Sequence, residues 1–273
     1  MATVDEVADW WATGVCRIEP GVVELRGIPV QDLIGSTGLV ATIWLLTRGA
    51  LPDPRAAALL EAALVAAVDH GPQAPSIAIA RMAVTCGVGL NNAIASGVNA
   101  LGDVHGGAGE QCVEVLNAIV ERESAGQNLT DAVAEVIGEY RYVPGFGHRF
   151  HPVDPRRDPL LALVDQAVAD GVVAGQHARA ARAVETALNT NRATPVPMNI
   201  DGATAVIYAE LGFPPPLARG LFVLSRSVGI LAHAWEETTQ GRRNKGPIPP
   251  SILPTYLGDR TSTPSRPVQT GDR

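Results

Sequence analysis

Aromatic residues are scarce, at 4% of 273 positions, so any core must be aliphatic; an alanine-rich chain with 46% hydrophobic residues can supply one. Cysteine is scarce too. Cys16, Cys86 and Cys112 form no CxxC pair, which argues against a zinc site or a disulfide framework. They are expected to be small buried apolar groups in a reducing, cytoplasmic setting. Positive charge is in deficit: 21 Lys and Arg against 28 Asp and Glu leave −7. A broad nucleic-acid surface is therefore not expected, although a local basic pocket for an anion can oppose the global sign. No uninterrupted apolar run reaches about 18 residues, so no membrane-spanning helix is expected. The opening residues Met-Ala-Thr-Val-Asp-Glu lack the basic and apolar regions of a secretion signal. Alternating strands of sheet length are missing as well, which places the chain in the all-α class.

What is present reads as a series of helices. Residues 4–13 form a short one with Trp10 and Trp11, and 21–30 suit a small hairpin or ribbon. Ser36 is expected to cap a helix through about Thr47, which Gly49 and Pro52 stop. Pro54 starts another, with Leu60, Leu64 and Val68 on one face. Residues 76–100 read as one or two buried helices. Helices at 109–123, 129–140, 160–170 and 174–189 follow, separated by a proline- and arginine-rich loop from Val143 to Pro159. Pro195 and Pro197 interrupt the pattern, and the apolar stretch Leu217 to Trp235 is expected to be a central helix. Residues 259–273 are polar and aperiodic, the composition of a disordered tail.

Three segments carry chemistry: Gly-Asp-Val-His-Gly-Gly-Ala-Gly at 102–109, Pro-Gly-Phe-Gly-His-Arg-Phe at 144–150 and Asn-Ile-Asp-Gly at 199–202. They offer two imidazoles and a carboxylate, a set able to make and quench an enolate without a metal. Removing a proton beside a thioester needs a base at the carbon and a donor at the carbonyl oxygen. Asp201 suits the base. His105 suits the donor, if the helix opening near Gly109 keeps it neutral. His148 suits a ketone or alcohol oxygen on the other reactant. Gly106, Gly107, Gly145 and Gly147 permit close backbone approach, and Arg149, Arg156, Arg226, Arg242 and Arg243 can grip carboxylates or phosphates. Each has a plainer reading: a histidine in a glycine turn is commonly a loop residue, Asn-x-Asp-Gly commonly a helix cap, and Arg226 a partner for a buried acid. His177 reads as part of a solvated helix, and His151 and His233 are assigned no role. The joint presence of the segments favours the chemical reading.

Together these segments resemble the citrate synthase superfamily, which includes citryl-CoA lyases and the C-terminal lyase module of ATP-citrate lyase. Arg26-Gly27-Ile28-Pro29 and Trp44-Leu45-Leu46-Thr47-Arg48-Gly49-Ala50-Leu51-Pro52 are similar to its early signatures, and the resemblance runs from about Gly21 to Gly258. It implies that His105 hydrogen-bonds the acetyl-CoA enolate, His148 polarises the oxaloacetate ketone and Asp201 shuttles the methyl proton. It implies substrate binding by His70, Arg156 and Arg226, with Arg242 or Arg243 crossing from a partner subunit. Gly145, Gly147 and Arg149 would line the CoA site. Only residues 53–69 separate Pro52 from His70, where citrate synthases carry a long helical segment. Asp69-His70-Gly71-Pro72 and Asn199-Ile200-Asp201-Gly202 are lyase-like, whereas His105 is synthase-like.

The resemblance implies a mostly helical fold, with a large domain (1–107 plus 201–258), an inserted small domain (108–200) and a site between them. It also implies a homodimer and a CoA thioester as substrate, with no metal and no resident cofactor. The expected activity is cleavage of citryl-CoA, or a related acyl-CoA, to acetyl-CoA and oxaloacetate. The alternatives are a compact citrate synthase, its 2-methylcitrate-type variant, and a silent homologue that binds acyl-CoA.

Overall fold

The computed structural model describes residues 3–147, 152–246, 248–249 and 251–258. The chain opens with α1 (Val4–Trp10), where Thr3 and Glu6 form a reciprocal capping box. A small antiparallel sheet follows in the order β1 (Cys16–Glu19), β2 (Val22–Leu25), β3 (Ile28–Pro29). The expected ribbon therefore starts earlier, at Cys16. Arg26 and Gly27, at φ 50° and 81°, make the two-residue turn between β2 and β3. Arg26 tolerates this left-handed backbone because its guanidinium bonds Leu46 O (2.7 and 3.0 Å) and Gly14 O (3.1 Å). The Arg-Gly motif thus ties the sheet to the end of a helix.

From here the fold is helical: α2 (Val30–Leu33), α3 (Leu39–Arg48), α4 (Pro54–Ala67), α5 (Pro75–Thr85) and α6 (Leu90–Asn99). Then come α7 (Ala108–Ser124), α8 (Leu129–Gly138), α9 (Arg157–Ala169), α10 (Gln176–Asn189), α11 (Ile200–Glu210) and α12 (Pro215–Gln240). Most expected boundaries agree to within three residues. Ser36 does not cap α3. Gly38 stands at that position, and the Ser36 hydroxyl donates to the carbonyls of Asp32 and Leu33 and closes the turn after α2.

One apolar cluster joins α4 to α7, α8, α9, α10 and α11; a second joins α5, α6 and α12. Helix α11 is the most enclosed, with every residue from Gly202 to Ala209 buried. Helix α12, expected to be central, packs on α4, α5, α6 and α7 but leaves Leu224, Val228, Leu231 and Trp235 exposed. By length and composition it is the one helix among the described residues able to cross a membrane; 39% of its most apolar stretch is buried, and it carries buried Arg226.

Two further expectations change. Of the cysteines only Cys112 is buried; Cys16 is half-buried and Cys86 exposed. His177 is buried, 7% exposed, rather than solvated, because its helix start docks on Glu210. That carboxylate accepts the N–H groups of Gly175 (2.8 Å), His177 (2.7 Å) and Ala178 (3.0 Å), and so caps α10 from the end of α11. Burial pushes the Glu210 carboxyl up, but the His177 ring and the Ala178 and Gly175 N–H groups outweigh it and hold the carboxyl below its ordinary 4.5. A depressed carboxylate stabilises the fold above its unfolded pKa and loses that contribution as pH falls through its folded value. Glu210→Gln should therefore cost about 1–3 kcal/mol at neutral pH in urea unfolding, and the gap to wild type should shrink as pH falls below 4.5.

Candidate active site

The 102–107 turn is built from its glycines. A Cβ on Gly107 would lie 2.5 Å from Asp103 O, and Gly106 sits at φ 104°. Gly102 N–H closes the turn on His105 O at 2.9 Å. Arg219 of α12 pairs with Asp103 (2.7 Å) and with Glu110, fixing the turn to the start of α7.

His105 meets the start of a second helix, α5. Its Nε2 lies 3.1 Å from Ser76 N and 3.0 Å from Ser76 Oγ. Ser76 is buried in the first turn of α5. A backbone N–H can only donate, so Nε2 accepts and the ring proton sits on Nδ1. Burial lowers the imidazole pKa, and the Arg226 charge lowers it further. The positive end of α5 thus opposes the imidazolium. The result is a neutral N–H donor.

Asp201 lies in the first turn of α11. The Asn199 side chain caps that helix, accepting the N–H groups of Asp201 (2.9 Å) and Gly202 (3.2 Å). The other end of the amide donates to Gly147 O at 2.7 Å, while Asn199 N–H donates to Gly145 O at 3.0 Å. Gly145 and Gly202 allow this contact. A Cβ on Gly202 would meet Gly145 O at 2.4 Å, and one on Gly145 would meet Cys112 Sγ at 2.6 Å. The segment ending at Gly147 is therefore strapped to the helix that presents Asp201. Burial pushes the Asp201 carboxyl above its ordinary value and Asp154 adds to the rise, against the pull of Arg226 and Arg156.

The two arginines are themselves anchored. Arg156 is held by the carboxylate of Asp154, buried at 1% exposure, through Nε (2.9 Å) and Nη2 (2.8 Å), while Nη1 donates to Ala66 O (3.2 Å). Arg226 is buried, donates from Nε to Ala67 O (3.2 Å) and stacks over Phe222 at 5.0 Å. Its burial lowers its pKa, with Asp201 and Asp69 opposing, and it stays a cation.

These side chains meet. One cavity of about 120 Å³ is lined by His70, His105, Arg156, Asp201 and Arg226. Ala67, Gly106, Ile200 and Phe222 complete its wall. Gly145 and Gly147 lie behind Asp201 and do not line it. His148 and Arg149, like His151, lie outside the described residues. Arg242 and Arg243 are exposed, just past the glycine that ends α12. They follow Arg226 by sixteen and seventeen positions, about 24 Å along a helix. This chain does not bring them to its own cavity.

Sequence reasoning missed Ser76, Asp154 and Phe222. The Asp-Pro-Arg spacing and the four-residue step from Phe222 to Arg226 were available signals. Nothing near Ser76 in the sequence points to a histidine 29 positions away.

Residues 51–250 match the family model for the citrate synthase C-terminal domain. The chain belongs to the citrate synthase family. Its fold is similar to that of citryl-CoA lyase from Hydrogenobacter thermophilus, with TM-score 0.81, 31% identity, and 91% of this chain and 95% of that one covered. It is 32% identical to citrate synthase from Synechocystis over 76% of this chain and 50% of that one. It is 29% identical to ATP-citrate synthase subunit 1 from Sordaria macrospora, again over 76% of this chain, but spans only 32% of that relative.

The tautomer is directly testable. In ¹⁵N-edited spectra His105 should show a protonated Nδ1 and an unprotonated Nε2, and should titrate below the ordinary 6.5. Separately, Asp154→Ala removes the buried carboxylate that holds the half-buried Arg156 guanidinium. It should cost about 1–3 kcal/mol in denaturant unfolding.

Proposed function

We propose that this citrate synthase family member cleaves citryl-CoA, or a related 3-hydroxy-3-carboxyacyl-CoA, to acetyl-CoA and oxaloacetate. The observation that carries this reading is the pairing of a neutral imidazole donor with a carboxyl of raised pKa in one small cation-lined cavity. The cavity suits an acid head group, leaving the nucleotide end of CoA outside. Arg156, Arg226 and His70 bind the carboxylates. His148, by its family motif, takes the hydroxyl proton as the carbon–carbon bond breaks. The bonding pair becomes the thioester enolate, whose oxygen accepts a hydrogen bond from His105 Nδ1–H. Asp201, as the acid, gives its proton to the enolate carbon.

The 31% identity to a citryl-CoA lyase across 95% of that chain supports the lyase direction, as does the short segment between Pro52 and His70. The same residues running in reverse, with thioester hydrolysis, make a citrate synthase, a reading favoured by His105 and by the Synechocystis relative. Closure of 108–200 over the cavity would exclude water. A homodimer completes the site: Arg242 or Arg243 reaches the partner's cavity, and the exposed stripe Leu224, Val228, Leu231 and Trp235 gives the contact an apolar face.

Purified protein given citryl-CoA should release oxaloacetate, read by coupled NADH oxidation. Steady formation of free CoA from acetyl-CoA and oxaloacetate selects the synthase instead. Asp201→Asn should lower kcat by about 10²–10⁴, and His105→Ala by about 10²–10³. Cleavage needs Asp201 protonated, so its rate should fall as pH rises through the raised carboxyl pKa, while condensation should gain over the same range.

A further inference from the structure

Helix α12 meets the end of α4 and the following turn along one stripe. Ser225 Oγ donates to Leu64 O (2.5 Å) and Arg226 Nε to Ala67 O (3.2 Å). Gly229 lies against Val68, so close that a Cβ would sit 2.3 Å from Val68 O. One turn later His233 Nε2 lies 3.3 Å from Asp69 Oδ2. Positions 226, 229 and 233 share a helix face, and the next residue of the turn they grip is His70, in the cavity wall.

Asp69 passes this contact on. Besides the His233 ring it takes the backbone N–H groups of Gly71 and His70; against the upward push of burial, these bonds hold its carboxyl below the ordinary value. The His233 tautomer is decided from the other side. Arg81 Nη1 lies 3.2 Å from His233 Nδ1. A guanidinium has donors only, so Nδ1 accepts, and the single ring proton sits on Nε2 and points to Asp69. Arg81 is held in turn by Glu236 (2.7 Å), by Gln240 (3.1 Å) and by Glu237 (2.6 Å), which is buried at 1% exposure. His233 does not itself line the cavity.

We infer that His233 is a positioning residue: fixed by Arg81 as the Nε2–H tautomer, it holds Asp69, and through Asp69 the turn that presents His70 to the substrate acid. Its kinetic consequence rests on the proposed activity, but its structural consequence does not. Two variants separate geometry from bulk. The amide N–H of His233→Gln reaches the place of Nε2–H, whereas His233→Leu removes the donor.

The test uses the full chain, with thermal melts to confirm folding. In NMR spectra of the free protein, His233→Leu should displace the His70 ring resonances and His233→Gln should restore them. Arg81→Met should shift the His233 Nδ1 resonance, which loses its donor, while Nε2–H stays on Asp69. In the condensation direction, His233→Leu should raise KM for oxaloacetate roughly tenfold while leaving KM for acetyl-CoA within about twofold, and His233→Gln should recover most of the loss. A folded His233→Leu protein with unmoved His70 resonances overturns the inference. So does a Gln variant as impaired as Leu, or an equal rise in both KM values. Absence of turnover in the wild type would defeat the proposed function alone, because the NMR comparison still decides this one.

Discussion

A carboxylate at the head of an apolar helix is the constraint around which the site is arranged. Asp201 lies in the first turn of α11, whose remaining turns are almost wholly enclosed. Desolvating an acid there is costly unless cations and hydrogen bonds face it. Arg226 and Arg156 supply the charge, and each is anchored elsewhere, on the carbonyls that end α4 and on the buried Asp154. The cations therefore cannot collapse onto Asp201 and neutralise it fully. Its proton affinity stays raised, the property a proton shuttle requires.

The same economy governs the imidazole. His105 sits in a glycine turn with little structure of its own, and its protonation state is set by Ser76 at the start of α5. Helix α12 then binds the pieces together. Arg219 holds the His105 turn, Phe222 and Arg226 line the cavity, and His233 meets the turn that carries His70. One long helix registers residues separated by up to 164 positions in the chain, and rigid registration is what pre-organised electrostatic catalysis demands.

Much of this was legible beforehand where the signal is local. Pro54 starts α4 and Gly49 ends α3, because a fixed φ or a missing Cβ acts within a few residues. The motif residues His70, His105, Arg156, Asp201 and Arg226 do share one cavity. Misreadings occurred where a partner lay far along the chain. His177 looked solvated because Glu210, 33 positions on, was not visible as its neighbour. Ser36 is the exception: its partner, Asp32 O, lies only four positions back, in the turn that follows α2. The contact of His105 with Ser76, 29 positions back, was hidden for the same reason as that of His177.

Periodicity, breakers and short polar motifs settle within the chain itself that it is helical, where most helices stop and which side chains are suited to proton chemistry. These depend on interactions spanning a turn or two. Folding alone decides which nitrogen of His105 holds the proton, why Asp201 binds its proton more tightly than a free aspartate, and which arginines face it. Those properties come from burial and from donors brought close in space by packing, and no local pattern encodes a dielectric environment.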